Sequence, residues 1–135
     1  MPAKIIDGNK IAKNILENIK HKVKNMKQKP GLALVMVGNN PASEVYVNFK
    51  EKDSKEAGFY CERYSLDKDT SEMDLLKLVD ELNQKPEIHG VLVQLPLPKH
   101  IDERLITNSI LPQKDVDGFT PVSLGRLLCE DTVMA

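Results

Sequence analysis

Tyr46 and Lys50 are four residues apart in the stretch "NNPASEVYVNFKEKDSKEAGF" (39–59), and on a helix they would be neighbours one turn apart. A lysine exchanges protons near neutral pH only where desolvation brings its pKa down from about 10.4, and a lysine so placed can serve a substrate as base or acid. A tyrosine packed over a lysine stem on a surface helix has the same spacing without any chemistry, so the pair needs company. Gln94 could supply it. It closes the apolar run of "VLVQLPLP" (91–98), where Pro96 and Pro98 stop a strand from continuing. An uncharged amide there can orient a ligand or a lysine without trapping the lysine as a cation. A glutamine bonded to loop backbone is the plain alternative.

"QKDVDGFTP" (113–121) adds Asp115 and Asp117 before Gly118. An Asp-Gly turn accounts for such a segment. A calcium loop starting at Asp115 does not, because Thr120 and Arg126 fall where glycine and glutamate are required. What remains is a carboxylate able to accept hydrogen bonds from a polar ring. His21, His89 and His100 have no ligand spacing, which implies no metal, and His89 reads as packing. Gly38-Asn39 resembles a phosphate turn, but neither GxGxxG nor GxxxxGK[ST] occurs, so no nucleotide cofactor site is expected in this chain.

These residues need elements to position them. Ile11, Ile15, Ile19, Val23 and Met26 recur at helical spacing and stop before Pro30-Gly31. "LALVMV" (32–37), "YCERY" (60–64) and "IHGVLVQL" (88–95) read as strands, and "TSEMDLLKLVDELNQ" as a helix opened by Ser71. In the stretch around Tyr46, Val45, Val47 and Phe49 alternate like a strand. Asn40 as cap, Pro41 in the first turn, Gly58 at the end and the polar tail "KEKDSKEA" outweigh that alternation, and predict a helix over 41–57. Helices alternating with strands give an α/β, three-layer fold with a largely parallel sheet flanked by helices. Ligands in such sheets sit outside the carboxyl ends of the strands, just after residues 37 and 93.

Composition sets the outer limits. With 135 residues the chain fits one domain, 1–135, and a net charge of −1 gives no general attraction to nucleic acid or an anionic membrane. The lysines between Lys20 and Lys29 read as a solvated helix face. Cys61 and Cys129 form no CxxC pair, no segment is apolar enough to span a bilayer, and no signal peptide pattern opens the chain, so a cytoplasmic protein is expected.

Taken together, "IDG", "VGNNPASEVYVNFKEKDSKEAGF", "GVLVQLPLP" and "KDVDGFTPVSLGRL" occur in order and resemble the N-terminal half of the bifunctional methylenetetrahydrofolate dehydrogenase/methenyltetrahydrofolate cyclohydrolase family over residues 5–128. The resemblance implies the interconversion of 5,10-methylene-, 5,10-methenyl- and 10-formyl-tetrahydrofolate, with NADP as cofactor. It places the catalytic lysine on Lys50, its partner tyrosine on Tyr46, the supporting glutamine on Gln94 and the pterin-binding aspartate on Asp117. It also implies substrate-binding stretches at Tyr46, Val47, Asn48, Phe49 and Lys50 and at Val93, Gln94 and Leu95. The family's nucleotide-binding Rossmann domain, with its glycine-rich turn, is absent from this chain, so NADP is expected to bind elsewhere. A homodimer is expected for the full-length enzyme. A different class of reading, an inert folate-binding or dimerisation module, remains open at this point, as does a monofunctional dehydrogenase.

Overall fold

The computed structural model describes residue 3 and residues 5–129. Helix α1 (Gly8–Lys24) starts at Asp7, whose carboxylate accepts the Lys10 N–H at 3.0 Å. It lies against α2 (Pro41–Ala57) and buries Val23. Strands β1 (Gly31–Val37), β2 (Tyr60–Leu66) and β3 (Gly90–Val93) form a three-stranded parallel sheet in the order β2-β1-β3. Helix α3 (Glu72–Gln84) joins β2 to β3, and beyond β3 come α4 (Glu103–Ser109), a 3₁₀ turn (Pro112–Lys114) and α5 (Pro121–Leu128).

The ambiguous stretch is a helix with the expected bounds. The Asn40 side chain accepts the N–H groups of Ala42 (2.9 Å) and Ser43 (3.2 Å), and Gly58 ends the helix at φ +90°, a conformation costly for any residue with a Cβ. Strand β3 is shorter than the expected 88–95. His89 and Gln94 each add one ladder bond to β1 at its ends, to the carbonyls of Gly31 and Val35. Strand β2 runs two residues further than expected.

Alternation along β1 feeds two layers, as period-2 geometry requires. Ala33, Val35 and Val37 point to the side covered by α3 and α4, where they meet Leu75, Val79, Leu82, Ile106 and Ile110. Leu34 and Met36 point to the other side, where they meet Val47 of α2 and Leu92 of β3. Fully burying one such side chain stabilises the fold by about 1.5–3 kcal/mol. From β1 the chain steps outward to β2 and then crosses back to place β3 on the opposite side of β1. The order therefore reverses between β1 and β3, and the crevice at that reversal, at the carboxyl ends of the strands, is where α/β sheets of this kind hold ligands.

Candidate active site

Two sides of this crevice are built by α2, which follows β1, and by the loop that follows β3. The inward stripe of α2 is Ser43, Val47, Lys50, Ser54 and Ala57, spaced four, three, four and three. Ser43, Val47 and Ala57 are buried, and Lys50 is half-buried at the same angular position. A lysine in a stripe otherwise made of small and apolar residues is the signal, readable in the sequence, that this side chain faces inward. Its Nζ donates to Gln94 Oε1 at 3.1 Å. The same amide donates through Nε2 to the Leu95 carbonyl at 2.8 Å, which leaves its oxygen as the group turned toward Lys50. The loop is held in turn by the Leu97 N–H, which donates to Glu103 Oε1 at 2.8 Å, and it contains a cis Leu95–Pro96 bond.

Gln94 is the one protein hydrogen-bond partner of the Lys50 ammonium among the described residues. An ammonium has three donors, so two remain for a ligand. Tyr46 and Phe49 flank Lys50 on α2 and are exposed, 62% and 58%. They offer aromatic surface to whatever enters.

The two aspartates of the turn differ sharply. Asp115 is buried and its carboxylate accepts the N–H groups of Gly118 (2.9 Å), Phe119 (3.3 Å) and Thr120 (2.8 Å). Burial pushes its pKa up, but donors from Thr120, Ser123 and Phe119 outweigh burial and hold it below the ordinary value. Asp117 accepts no such donors. Its residue as a whole is exposed, yet its carboxyl group is crowded by protein. That desolvation raises its pKa, against the pull of the Lys50 charge and with a push from Asp115. Asp117 is thus within electrostatic reach of Lys50, while Asp115 builds the turn.

The remaining residues of the expected substrate stretches separate by direction. Val47 is 0% exposed and Val93 is 3% exposed, so their side chains belong to the core and can shape the site only from behind. Asn48 faces β2, where its Oδ1 accepts from Arg63 at 2.6 Å. Arg63 also reaches Glu51 at 3.3 Å, and so ties α2 to the sheet edge. That role carries no sequence signal, because it depends on where β2 lies. Leu95 lines a shallow groove with Thr107 and Phe119, beside the Asp117 turn. His89 is a scaffold residue, since its Nδ1 accepts the Gly31 N–H at 2.9 Å.

The family profile "Tetrahydrofolate dehydrogenase/cyclohydrolase, catalytic domain" matches residues 6–117. The chain belongs to this family. The bifunctional protein FolD of Moorella thermoacetica is 49% identical over 134 residues, which cover 97% of this chain and 48% of that protein. The crystal structure of the bifunctional FolD enzyme from Campylobacter jejuni superposes with a TM-score of 0.92 at 40% identity, covering 95% of this chain and 46% of that one. A Trypanosoma brucei dehydrogenase-cyclohydrolase, solved with NADP cofactor and inhibitor, gives 0.88 at 34% identity, over 94% and 45%. The chain spans about half the length of the curated relatives it matches. Among the described residues no helix is long and apolar enough to cross a membrane, and no cluster of His, Cys, Asp or Glu could hold a metal ion.

The turn after β1 does not fit the family's NADP. It reads Gly38-Asn39-Asn40, and the first free N–H groups of α2 are already taken by the Asn40 side chain, which leaves no glycine-rich helix start for a pyrophosphate.

Proposed function

We propose that this chain is the folate-binding and cyclohydrolase half of an enzyme that oxidises 5,10-methylene-tetrahydrofolate to the 5,10-methenyl form with NADP and hydrolyses the latter to 10-formyl-tetrahydrofolate. The observation that carries the reading is the Lys50–Gln94 hydrogen bond at the sheet's reversal point, with Asp117 in electrostatic range. Residues 1–135 are read as one catalytic domain. NADP is assigned to protein outside the described residues, and the groups that position it for hydride transfer are assigned there too. By family resemblance, the full enzyme is placed in the cytoplasm as a homodimer.

The methenyl bridge carbon lies between two nitrogens and shares a positive charge, so water adds to it directly. Addition forms a C–O bond and releases a proton from the water. Collapse then turns the new C–OH into the formyl C=O, with loss of the hydroxyl proton, as the bond from that carbon to N5 breaks and N5 gains a proton. The net reaction consumes one water and releases one proton. Lys50 Nζ is assigned the transfer of these protons, in its neutral form as acceptor and then as donor. Gln94 holds Nζ in place through a neutral acceptor, which does not pin the lysine as a cation the way a carboxylate would. Asp117 accepts hydrogen bonds from the pterin N–H groups, and Tyr46 stacks on the folate ring. Leu95 and Phe49 supply apolar contact, whereas Val47, Asn48 and Val93 support the site through backbone position and packing.

Spectrophotometric assay of the intact protein tests the reading. It should deplete 5,10-methenyl-tetrahydrofolate in excess of the spontaneous rate and reduce NADP in the presence of the methylene form. Neither activity in a folded protein would refute it.

A further inference from the structure

Between the 3₁₀ turn and α5 the chain has no regular structure, yet this segment carries Asp117. Three consecutive residues before Asp117 are anchored, each to a different partner. Lys114 Nζ donates to the Leu82 carbonyl at 2.9 Å and the Lys85 carbonyl at 2.8 Å, two acceptors at the carboxyl end of α3. Asp115 forms an isolated parallel bridge with Val91 of β3. Val116 packs on Gly90, where a Cβ would come within 2.5 Å of Val116 Cγ1, so a side chain at position 90 would force Val116 to shift.

The last two anchors both lie on β3. Lys114 ties the segment to α3 instead, at the end of the 3₁₀ turn, as Asn83 of α3 does before it by accepting the Leu111 N–H at 3.1 Å. The Lys114 side chain is half-buried, it has no carboxylate partner among the described residues, and its bonds go to neutral carbonyls, while burial pushes its pKa down. An apolar side chain would avoid that cost but leave the Leu82 carbonyl, four residues before Pro86, without its donor.

We propose that Lys114 is a positioning residue: by tying the 3₁₀ turn to the carboxyl end of α3, it sets where Asp117 stands relative to Lys50. The inference rests on the reading of Asp117 as a folate-binding carboxylate. Its consequence for the turn itself does not depend on that reading.

The test compares Lys114→Met with Val79→Ala, a core truncation under α3 that lowers stability without touching the turn. Two quantities are measured in the intact protein: the side-chain carboxyl titration of Asp117 by NMR, and the Kd for 5,10-methenyl-tetrahydrofolate. Lys114→Met should move the Asp117 midpoint away from its wild-type value, as its desolvation and its distance to Lys50 change, and weaken binding about tenfold. Val79→Ala should lower Tm and leave both quantities at their wild-type values. A Lys114→Met protein that only melts earlier, with Asp117 titration and affinity unchanged, would overturn the proposal. Should that variant not fold, Lys114→Gln, which keeps an N–H donor, takes its place, with smaller shifts supporting the proposal and none overturning it. If the wild type binds no folate, the functional reading fails and the Asp117 titration alone decides the role of Lys114.

Discussion

Among the described residues, thirteen buried side chains form one continuous apolar cluster on the face of the sheet covered by α3 and α4, whereas on the α2 face only Leu34, Met36, Val47 and Leu92 are buried together. The same strand, β1, feeds both. The large cluster is closed and polar groups stay at its rim. There Glu62 takes hydrogen bonds from the hydroxyls of Tyr60 and Tyr64 and an ion pair from Lys85 at 3.1 Å. The small cluster gives up a stripe position to Lys50 and leaves Tyr46 and Phe49 in solvent. One layer holds the fold together, and the thinner layer holds groups that a ligand must satisfy. Site residues that lower stability are tolerated because the opposite face supplies it.

The strongest way to break that contrast is a truncation in the large cluster. Leu75→Ala should cost about 2–5 kcal/mol of unfolding free energy, measured by denaturant titration, with the folate Kd of the folded fraction unchanged. A parallel loss of affinity would mean that the two faces are not separable.

The aspartates sharpen the contrast at smaller scale. Asp117→Ala should weaken folate binding roughly ten- to a hundredfold by calorimetry, as pterin donors lose a charged acceptor, while Tm moves little. Asp115→Ala should lower Tm, since three backbone N–H groups lose their acceptor, and should weaken affinity less. A larger affinity loss for Asp115 would mean that the pterin carboxylate has been misassigned.

The smallest effects concern pH and have opposite signs on the two faces. Hydrogen bonds from Tyr60, then Tyr64, lower the Glu62 pKa from 4.5 to about 2. Its ionised form therefore favours folding above pH 4.5, and that contribution fades as pH falls from 4.5 toward 2. Asp117 is raised above its ordinary 3.8 by burial, so the folded state holds its proton more tightly and stability declines as pH rises from 3.8 through the raised value. Thermal melts should thus find Glu62→Gln less stable than wild type at pH 7, with the deficit shrinking in acid. Asp117→Asn should be slightly more stable at pH 7. Equal signs for the two would contradict the division between scaffold and site.

Much of this architecture is legible in the order of residues alone. The caps Asn40 and Gly58 mark the bounds of α2 because a capping side chain and a positive-φ glycine are local requirements. The pairing of Lys50 with Gln94 follows from the family resemblance and from the position of each after a strand. Helices α4 and α5 are not legible, although Asp102 and Thr120 cap them, because seven or eight residues span too few turns for a hydrophobic period to emerge. The Arg63 and Lys114 ties are not legible either, since each joins elements far apart in sequence and depends on the order of strands in the sheet.

The central claim is that Lys50 moves protons in hydrolysis rather than merely binding folate. The most direct measurement is of both activities in the intact Lys50→Gln protein, side by side with wild type. Hydrolysis of 5,10-methenyl-tetrahydrofolate should fall by about 10²–10⁴-fold, the range for a lost general acid–base group, while NADP-dependent oxidation of the methylene form falls much less. Lys50→Arg should not restore hydrolysis, because a guanidinium keeps its charge. Equal loss of the two activities in Lys50→Gln would contradict the claim and reduce Lys50 to a binding residue.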